Sequence, residues 1–251
     1  MRSRSAPVGG GERQGGLLIR AVGEVDASDV ERLFLEVFLD PHFGESTYAN
    51  LRLSVSDPQV RDYFHKLNKD FLSSRVSFVA VEAATGELAG LCLAKCCSVA
   101  EYDAELNSFI EERHDEESAL RRSQRAVAAY LALARPRINA FLAHTPRLRR
   151  LLYFGPVGVR RRWTGRGVAK TLISTCIEAA RVAGCDALIS WSSSGGTQAI
   201  GTKIGCERIF EVDYAHLIDA RTGQQIVHPV EGTTKIVHFF KMLGPTPAAD
   251  T

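Results

Sequence analysis

Apolar residues recur along this chain with two periods, and the switches between them lay out an order of strands and helices. Residues 17–21 (LLIRA) predict a short first strand. Val30, Leu33, Phe34, Val37 and Phe38 then repeat at helical spacing, with Ser28 and Glu31 placed as a capping box and Pro41 as the stop. A loop follows over 40–48 (DPHFGESTY), and Val60, Phe64, Leu67 and Phe71 predict a second helix over 57–73. The period drops to two in VSFVAVEA (76–83) and ELAGLCLAKC (87–96), joined at Thr85-Gly86 as a hairpin. Residues 98–150 are more polar, with an acidic block at Glu111–Glu117 and basic ends near Arg121 and Arg147–Arg150. They predict one or two helices whose charges form solvated faces.

The pattern sharpens from residue 151. LLYFGPVGV (151–159) is an apolar strand, and RRRWTGRGVAK (160–170) is a basic turn with glycines. TLISTCIEAARVAG (171–184) is a helix with Leu172, Ile173, Cys176, Ile177 and Ala180 inward and Gly184 at its end. CDALISW (185–191) is a strand, a short helix over 196–204 ends at Gly205, and CERIFEVDY (206–214) and KIVHFFKML (235–243) are the last strands. No internal repeat or linker interrupts this order. A single domain is therefore expected over 17–243, with 98–150 as a variable helical segment and tails at 1–16 and 244–251.

Composition narrows the class. The 251 residues are 45% apolar and 24% charged, which suits one domain with a sizeable core. Net charge is only +2, which gives no argument for or against nucleic acid, and none is expected as a partner. No apolar run reaches the roughly 18–20 residues that cross a bilayer, so no membrane association is expected. The Gly-, Arg- and Ser-rich first 16 residues lack the apolar core of a secretory signal and predict a disordered tail. The six cysteines form no CxxC pair, and the histidines form no HxxxH or HExxH. Reduced thiols in the cytoplasm and no metal site are therefore expected.

The turn at 159–169 carries the first specific chemistry. A strand leading through a turn into a helix leaves the first helical amides without partners, at the positive end of the helix dipole. Gly165 and Gly167 let an anion approach the backbone, and Arg160, Arg161, Arg162 and Arg166 add positive charge. These features point to a phosphate. A P-loop is excluded, because Thr164 and Ala169 stand where its two glycines belong. A Rossmann fingerprint is excluded, because Lys170 stands at the third glycine position.

Val159, Trp163, Gly165, Gly167, Val168 and Ala169 resemble the coenzyme A motif of the GNAT superfamily of N-acetyltransferases, with Thr164 in place of the usual Arg or Gln. Lys203 and Gly205, at the end of the short helix, match the motif that follows in that family, and the order of elements agrees over most of the chain. The resemblance implies an α/β GNAT fold: a mixed central sheet of about seven strands flanked by helices and splayed between the fourth and fifth strands, here 151–159 and 185–191. It implies acetyl-CoA as co-substrate, bound at Val157, Val159, Thr164, Gly165, Arg166, Gly167, Val168, Ala169 and Lys203, and no metal.

Phe210, Tyr214, Leu217, Asp219, Gly223, Ile226 and Pro229 are further similar to the invertebrate arylalkylamine N-acetyltransferase group. That resemblance implies transfer of acetyl to a small primary amine. It implies Glu45 as general base, between Gly44 and Ser46 where Asp and Pro are usual, and Ser193 and Thr197 as assisting hydroxyls. Gly201 occupies the position where many GNATs place a general-acid Tyr. Phe43, Tyr48 and Phe64 are candidate pocket wall. Polyamines, amino acids and protein amines stand as alternative substrates, and an acyl-CoA-binding module without turnover as an alternative of another class. The sequence gives no oligomeric state.

Overall fold

Period-two apolar segments become strands of one sheet because each has an apolar side chain for either of two helical layers. The computed structural model describes residues 12–40, 53–54, 56–111, 118–145, 147–229 and 232–244. Its strands are β1 (Glu12–Gln14), β2 (Leu17–Ala21), β3 (Phe78–Glu82), β4 (Leu88–Ser98), β5 (Arg150–Val159), β6 (Ala187–Ser192), β7 (Glu207–Asp213) and β8 (Lys235–Met242). They form one sheet in the order β1-β2-β3-β4-β5-β6-β8-β7. The mixed sheet predicted from the sequence is present. It begins at Glu12 rather than at 17, because β1 pairs antiparallel with β2.

The helices are α1 (Ala27–Phe38), α2 (Pro58–Leu72), α3 (Val99–Glu111), α4 (Ala119–Ala143), α5 (Val168–Val182) and α6 (Gly195–Lys203). Helices α1 to α4 pack on one face around Phe34, Phe64, Tyr102, Tyr130 and Tyr153. The other face holds α5 and α6, around Phe154, Leu172, Cys176 and Leu188. Alternate residues of β5 serve the two layers: Leu151 and Tyr153 the first, Leu152 and Phe154 the second. No helix among the described residues is long and apolar enough to cross a membrane.

Two local predictions need correction. The start of α1 is not set by Ser28 and Glu31. Asp26 accepts from the Gly23 amide at 2.9 Å and pairs with both terminal nitrogens of Arg20 at 2.7 Å, which draws the helical chain upstream. Residues 98–150 form the two helices predicted, but they carry more core than their polar composition suggests, since Tyr102, Leu106, Tyr130, Leu131 and Ile138 are buried. Arg135 and Asn139 of α4 both donate to Asp103 of α3 at 3.0 Å and lock the two helices together. The second helix agrees with its prediction: Pro58 occupies its first turn, and the Asp57 carboxylate accepts from the Gln59 amide at 2.8 Å.

The feature that positions a site is the pair β5–β6, the one parallel pair in the sheet. It holds register only at Leu151–Ala187, Leu152–Leu188 and Tyr153–Ile189. Beyond Tyr153, β5 continues alone against β4. There Cys92 faces Val157 and Ala94 faces Phe154, so Gly155 and Pro156 share a single partner, Leu93, in a bulge. Proline lacks the ladder donor and suits this place. Gly155 is required for a different reason: a Cβ there would lie 2.6 Å from the ring of buried Phe71.

Gly155→Ala is therefore expected to lower stability by roughly 1–3 kcal/mol through overpacking. Chemical denaturation checks it. Phe71→Leu in the same chain is expected to return part of that loss, as coupling between contacting residues predicts.

Candidate active site

Where β5 leaves β6, a cavity of about 220 Å³ passes between the two helical layers. Phe34, Phe38, Phe71, Tyr130 and Trp191 line it on the α1–α4 side, and Ile173 and Ile204 line it on the α5–α6 side. Gly155, Pro156, Val157, Ser193 and Thr197 stand at the gap in the sheet. Among the described lining residues, Glu105 of α3 carries the single formal charge. Burial raises its pKa, and its partner Lys95, 2.6 Å away on β4, works in the opposite direction.

The hydroxyls expected at this site are brought together with the gap. Ser194 caps α6, accepting from the Thr197 amide at 3.4 Å. The Thr197 hydroxyl lies 3.0 Å from the Ser194 hydroxyl and donates to the Ser194 carbonyl at 3.1 Å. Thr197 thus has a structural engagement beside any chemical one. Ser193 is held through its backbone: buried Tyr214 donates its phenolic hydrogen to the Ser193 carbonyl at 2.8 Å. Gln198 donates to the Ser192 carbonyl at 3.0 Å and the Lys235 carbonyl at 2.7 Å, which fastens α6 across β6 and β8. Gly201 faces the cavity because Phe239 leaves no room for more. A Cβ there would meet its ring at 3.0 Å.

The glycine turn is open. Gly165 and Gly167 have φ of 74° and 80°, in the left-handed region that glycine enters without strain. A Cβ at either would meet nothing within 4 Å. Gly167 is also the N-cap of α5 and offers no side-chain acceptor, so the first amides of the helix, from Val168 and Ala169, face outward uncapped. Val157 lines the cavity below, and Val159 ends β5 beside the turn.

The charges around this turn differ from the simple sum of four arginines. Arg160 is buried and pairs with Glu36 at 3.1 Å and Glu87 at 2.8 Å. Arg162 pairs with Glu82 at 2.8 Å and Glu87 at 3.0 Å. These two guanidiniums, Arg162 first, hold the Glu87 carboxyl below its usual range, and they tie the turn to β3, the β3–β4 turn and α1. Arg166 is exposed, with its guanidinium 5.0 Å from the centre of the Trp163 ring. Thr164 donates its hydroxyl to the Arg161 carbonyl at 2.8 Å and closes the short 3-10 turn Arg161–Trp163. Lys203 is exposed at the last position of α6 and is not part of the cavity wall.

Residues 94–202, from β4 through α6, match the family described as Acetyltransferase (GNAT) family. Residues 94–202 thus carry a GNAT acetyltransferase domain. No curated protein matches the sequence. Among solved structures, arylalkylamine N-acetyltransferase 2 from Aedes aegypti superposes with a TM-score of 0.72 at 19% identity, covering 92% of this chain and 100% of that one. An agmatine N-acetyltransferase gives 0.72 at 14% identity over 90% and 99%. The polyamine N-acetyltransferase of Drosophila melanogaster gives 0.67 at 16% identity, also over 90% and 99%. At these identities the likeness is one of fold.

The α1–α4 wall is the part of the cavity least legible in the sequence. Of the proposed wall residues, Phe43 and Tyr48 lie outside the described residues, as does Glu45. Phe64 is core, its ring tilted against that of Phe34 with centroids 4.7 Å apart, and it is absent from the cavity lining. The wall instead takes Glu105, Phe109, Val127 and Tyr130 from the segment between β4 and β5. A signal for Glu105 was present. It sits in the stripe Tyr102, Glu105, Leu106, Phe109, where helical spacing puts a carboxylate on an apolar face.

Tyr214→Phe removes the donor to the Ser193 carbonyl. It is expected to cost about 1 kcal/mol in thermal or urea unfolding and to raise hydrogen exchange over 192–197.

Proposed function

We propose that this domain is an acetyl-CoA-dependent N-acetyltransferase acting on a primary amine, with an arylalkylamine as its substrate. One observation carries the proposal: a cavity through the sheet joins an aromatic wall with one carboxylate on one face to the side of α5, whose N-terminal turn is open, on the other. The Gly165–Ala169 backbone suits the pyrophosphate of coenzyme A, which the helix dipole and outward amides favour. Thr164, Arg166 and Lys203 are its proposed outer contacts, and Val157 and Val159 flank the acyl arm. When bound, acetyl-CoA supplies the thioester carbonyl.

An arylalkylammonium has a pKa of about 10, by analogy with lysine, and must lose a proton before it attacks. We assign that step to Glu45. The neutral nitrogen then attacks the thioester carbon, the carbon–sulfur bond breaks, and the proton that the nitrogen sheds in becoming an amide replaces the one a hydroxyl donates to the leaving thiolate. Ser193 is the readier donor, because the Thr197 hydrogen already bonds the Ser194 carbonyl. Phe34, Phe38, Tyr130 and Trp191 present rings for an aromatic substrate. All six cysteines are free thiols, which fits a reducing compartment and our placement of the protein in the cytoplasm.

Free-thiol release from acetyl-CoA, measured with tryptamine, tyramine, dopamine, spermidine and a lysine peptide, tests the substrate class. Turnover is expected with the aromatic amines. Tight acetyl-CoA binding with thiol release from none of the amines would instead favour a non-catalytic module. Gly167→Glu places bulk and negative charge in the anion cradle and is expected to weaken CoA binding at least about 100-fold, or roughly 3 kcal/mol. Unchanged affinity in the folded variant sinks the cradle assignment. Glu45→Gln is expected to lower kcat at neutral pH by about 10²-fold or more with acetyl-CoA affinity retained, in line with the loss of a general base.

A further inference from the structure

The carboxylate in the cavity wall is already occupied. Glu105 of α3 and Lys95 of β4 meet at 2.6 Å, and each side chain is only 19% exposed. Lys95 does not sit there by default. Its ammonium lies 5.1 Å from the centre of the Phe71 ring and 6.0 Å from that of Tyr153, two rings that line the same cavity. It thus faces three acceptors of positive charge: one carboxylate and two π-faces. Its second carboxylate, Asp70, is 3.9 Å away and largely solvated, which leaves Glu105 as the shielded partner.

An amine that enters this cavity brings its own cation, and the chemistry demands one at the reacting end. A second cation at the far end, as in a diamine or a guanidino-amine, needs an anion in the wall. Glu105 is the one described residue there that offers one. With Lys95 in place, a second cation meets a paired carboxylate and a like charge beside it. With an apolar far end, the same wall offers only rings and needs no rearrangement. Specificity of this kind comes from the repulsive element as much as from the attractive one.

We propose that the Lys95–Glu105 pair sets the charge specificity of the amine cavity, admitting monocationic arylalkylamines and excluding amines with a second cationic group. This rests on the cavity being the amine site. Lys95 acts as a specificity-determining residue through Glu105, and neither carries out the chemistry.

The test is equilibrium binding to the CoA-saturated protein by titration calorimetry, with tryptamine, agmatine and 1,4-diaminobutane as probes. The wild type is expected to bind tryptamine at least about tenfold more tightly than either dication. Lys95→Met, which keeps the stem on the rings, and Lys95→Gln, which keeps a donor to Glu105, are each expected to improve binding of the dications about tenfold, with tryptamine changed less than about threefold, as removal of one like charge predicts. The double variant Lys95→Met/Glu105→Gln is expected to lose that gain. An unchanged dication-to-tryptamine ratio in both folded single variants overturns the proposal, as does a gain that persists without Glu105. Failure of the wild type to bind tryptamine is a different result, because it removes the amine-site reading itself and the specificity proposal falls with it.

Discussion

The site depends on a hydrogen-bond ladder that stops. Parallel strands β5 and β6 share register over Leu151–Tyr153 and then part, although both continue for several residues. Unpaired backbone in a sheet interior is costly, so such a gap persists only where the surroundings enforce it and something polar is meant to enter. Three features enforce it here. The bulge at Gly155–Pro156 turns β5 against β4. Proline removes one donor that would otherwise need a partner. Phe71 packs directly on Gly155 from the α2 side. On the far strand, β6 keeps its antiparallel pairing with β8 through Ser192–Val237, so it cannot follow β5.

Electrostatics near the gap divide into charges that hold the fold and charges left for a ligand. Arg160 and Arg162 belong to the first kind, since three carboxylates, from α1, β3 and the β3–β4 turn, surround them. Replacing either removes a structural tie before it removes any affinity for phosphate. In the coenzyme A site proposed above, the attraction for the pyrophosphate therefore rests more on the uncapped first amides of α5 and on Arg166 than on the count of basic residues.

The second half of the chain was the more legible because its signals are local. Gly165, Gly167, Gly184 and Gly205 all adopt positive φ, so each glycine in the pattern corresponds to a turn or helix end that demands it. The pattern from Phe210 to Pro229 also has physical causes. Tyr214 anchors Ser193, Leu217 is fully buried, and Asp219 closes its own turn while pairing with Arg125 at 3.2 Å. The first half depends on contacts distant in sequence. The Arg20–Asp26 pair overrode a plausible capping box, and the burial of α3 and α4 follows from the open face that β5, β6 and β8 present to them. Polar composition along 98–150 concealed this, because one apolar stripe per helix is enough to bury it.

That wall has a fixed shape at working pH. His238 of β8 is 1% exposed and lies between two phenols, with Nδ1 2.8 Å from Tyr130 and Nε2 3.0 Å from Tyr102. Burial pushes its pKa down to about 3, so the ring is neutral and has one donor and one acceptor. One phenol must donate to it and the other accept, and both tyrosines are buried with raised pKa values for the same reason. The chain of three groups is satisfied without any net charge, which is the condition under which a buried polar network stiffens a core rather than weakening it. Tyr130 carries that rigidity into the cavity, where its ring packs tilted against Trp191 with centroids 4.8 Å apart. The aromatic wall therefore keeps its geometry while protons move at the proposed amine and its base.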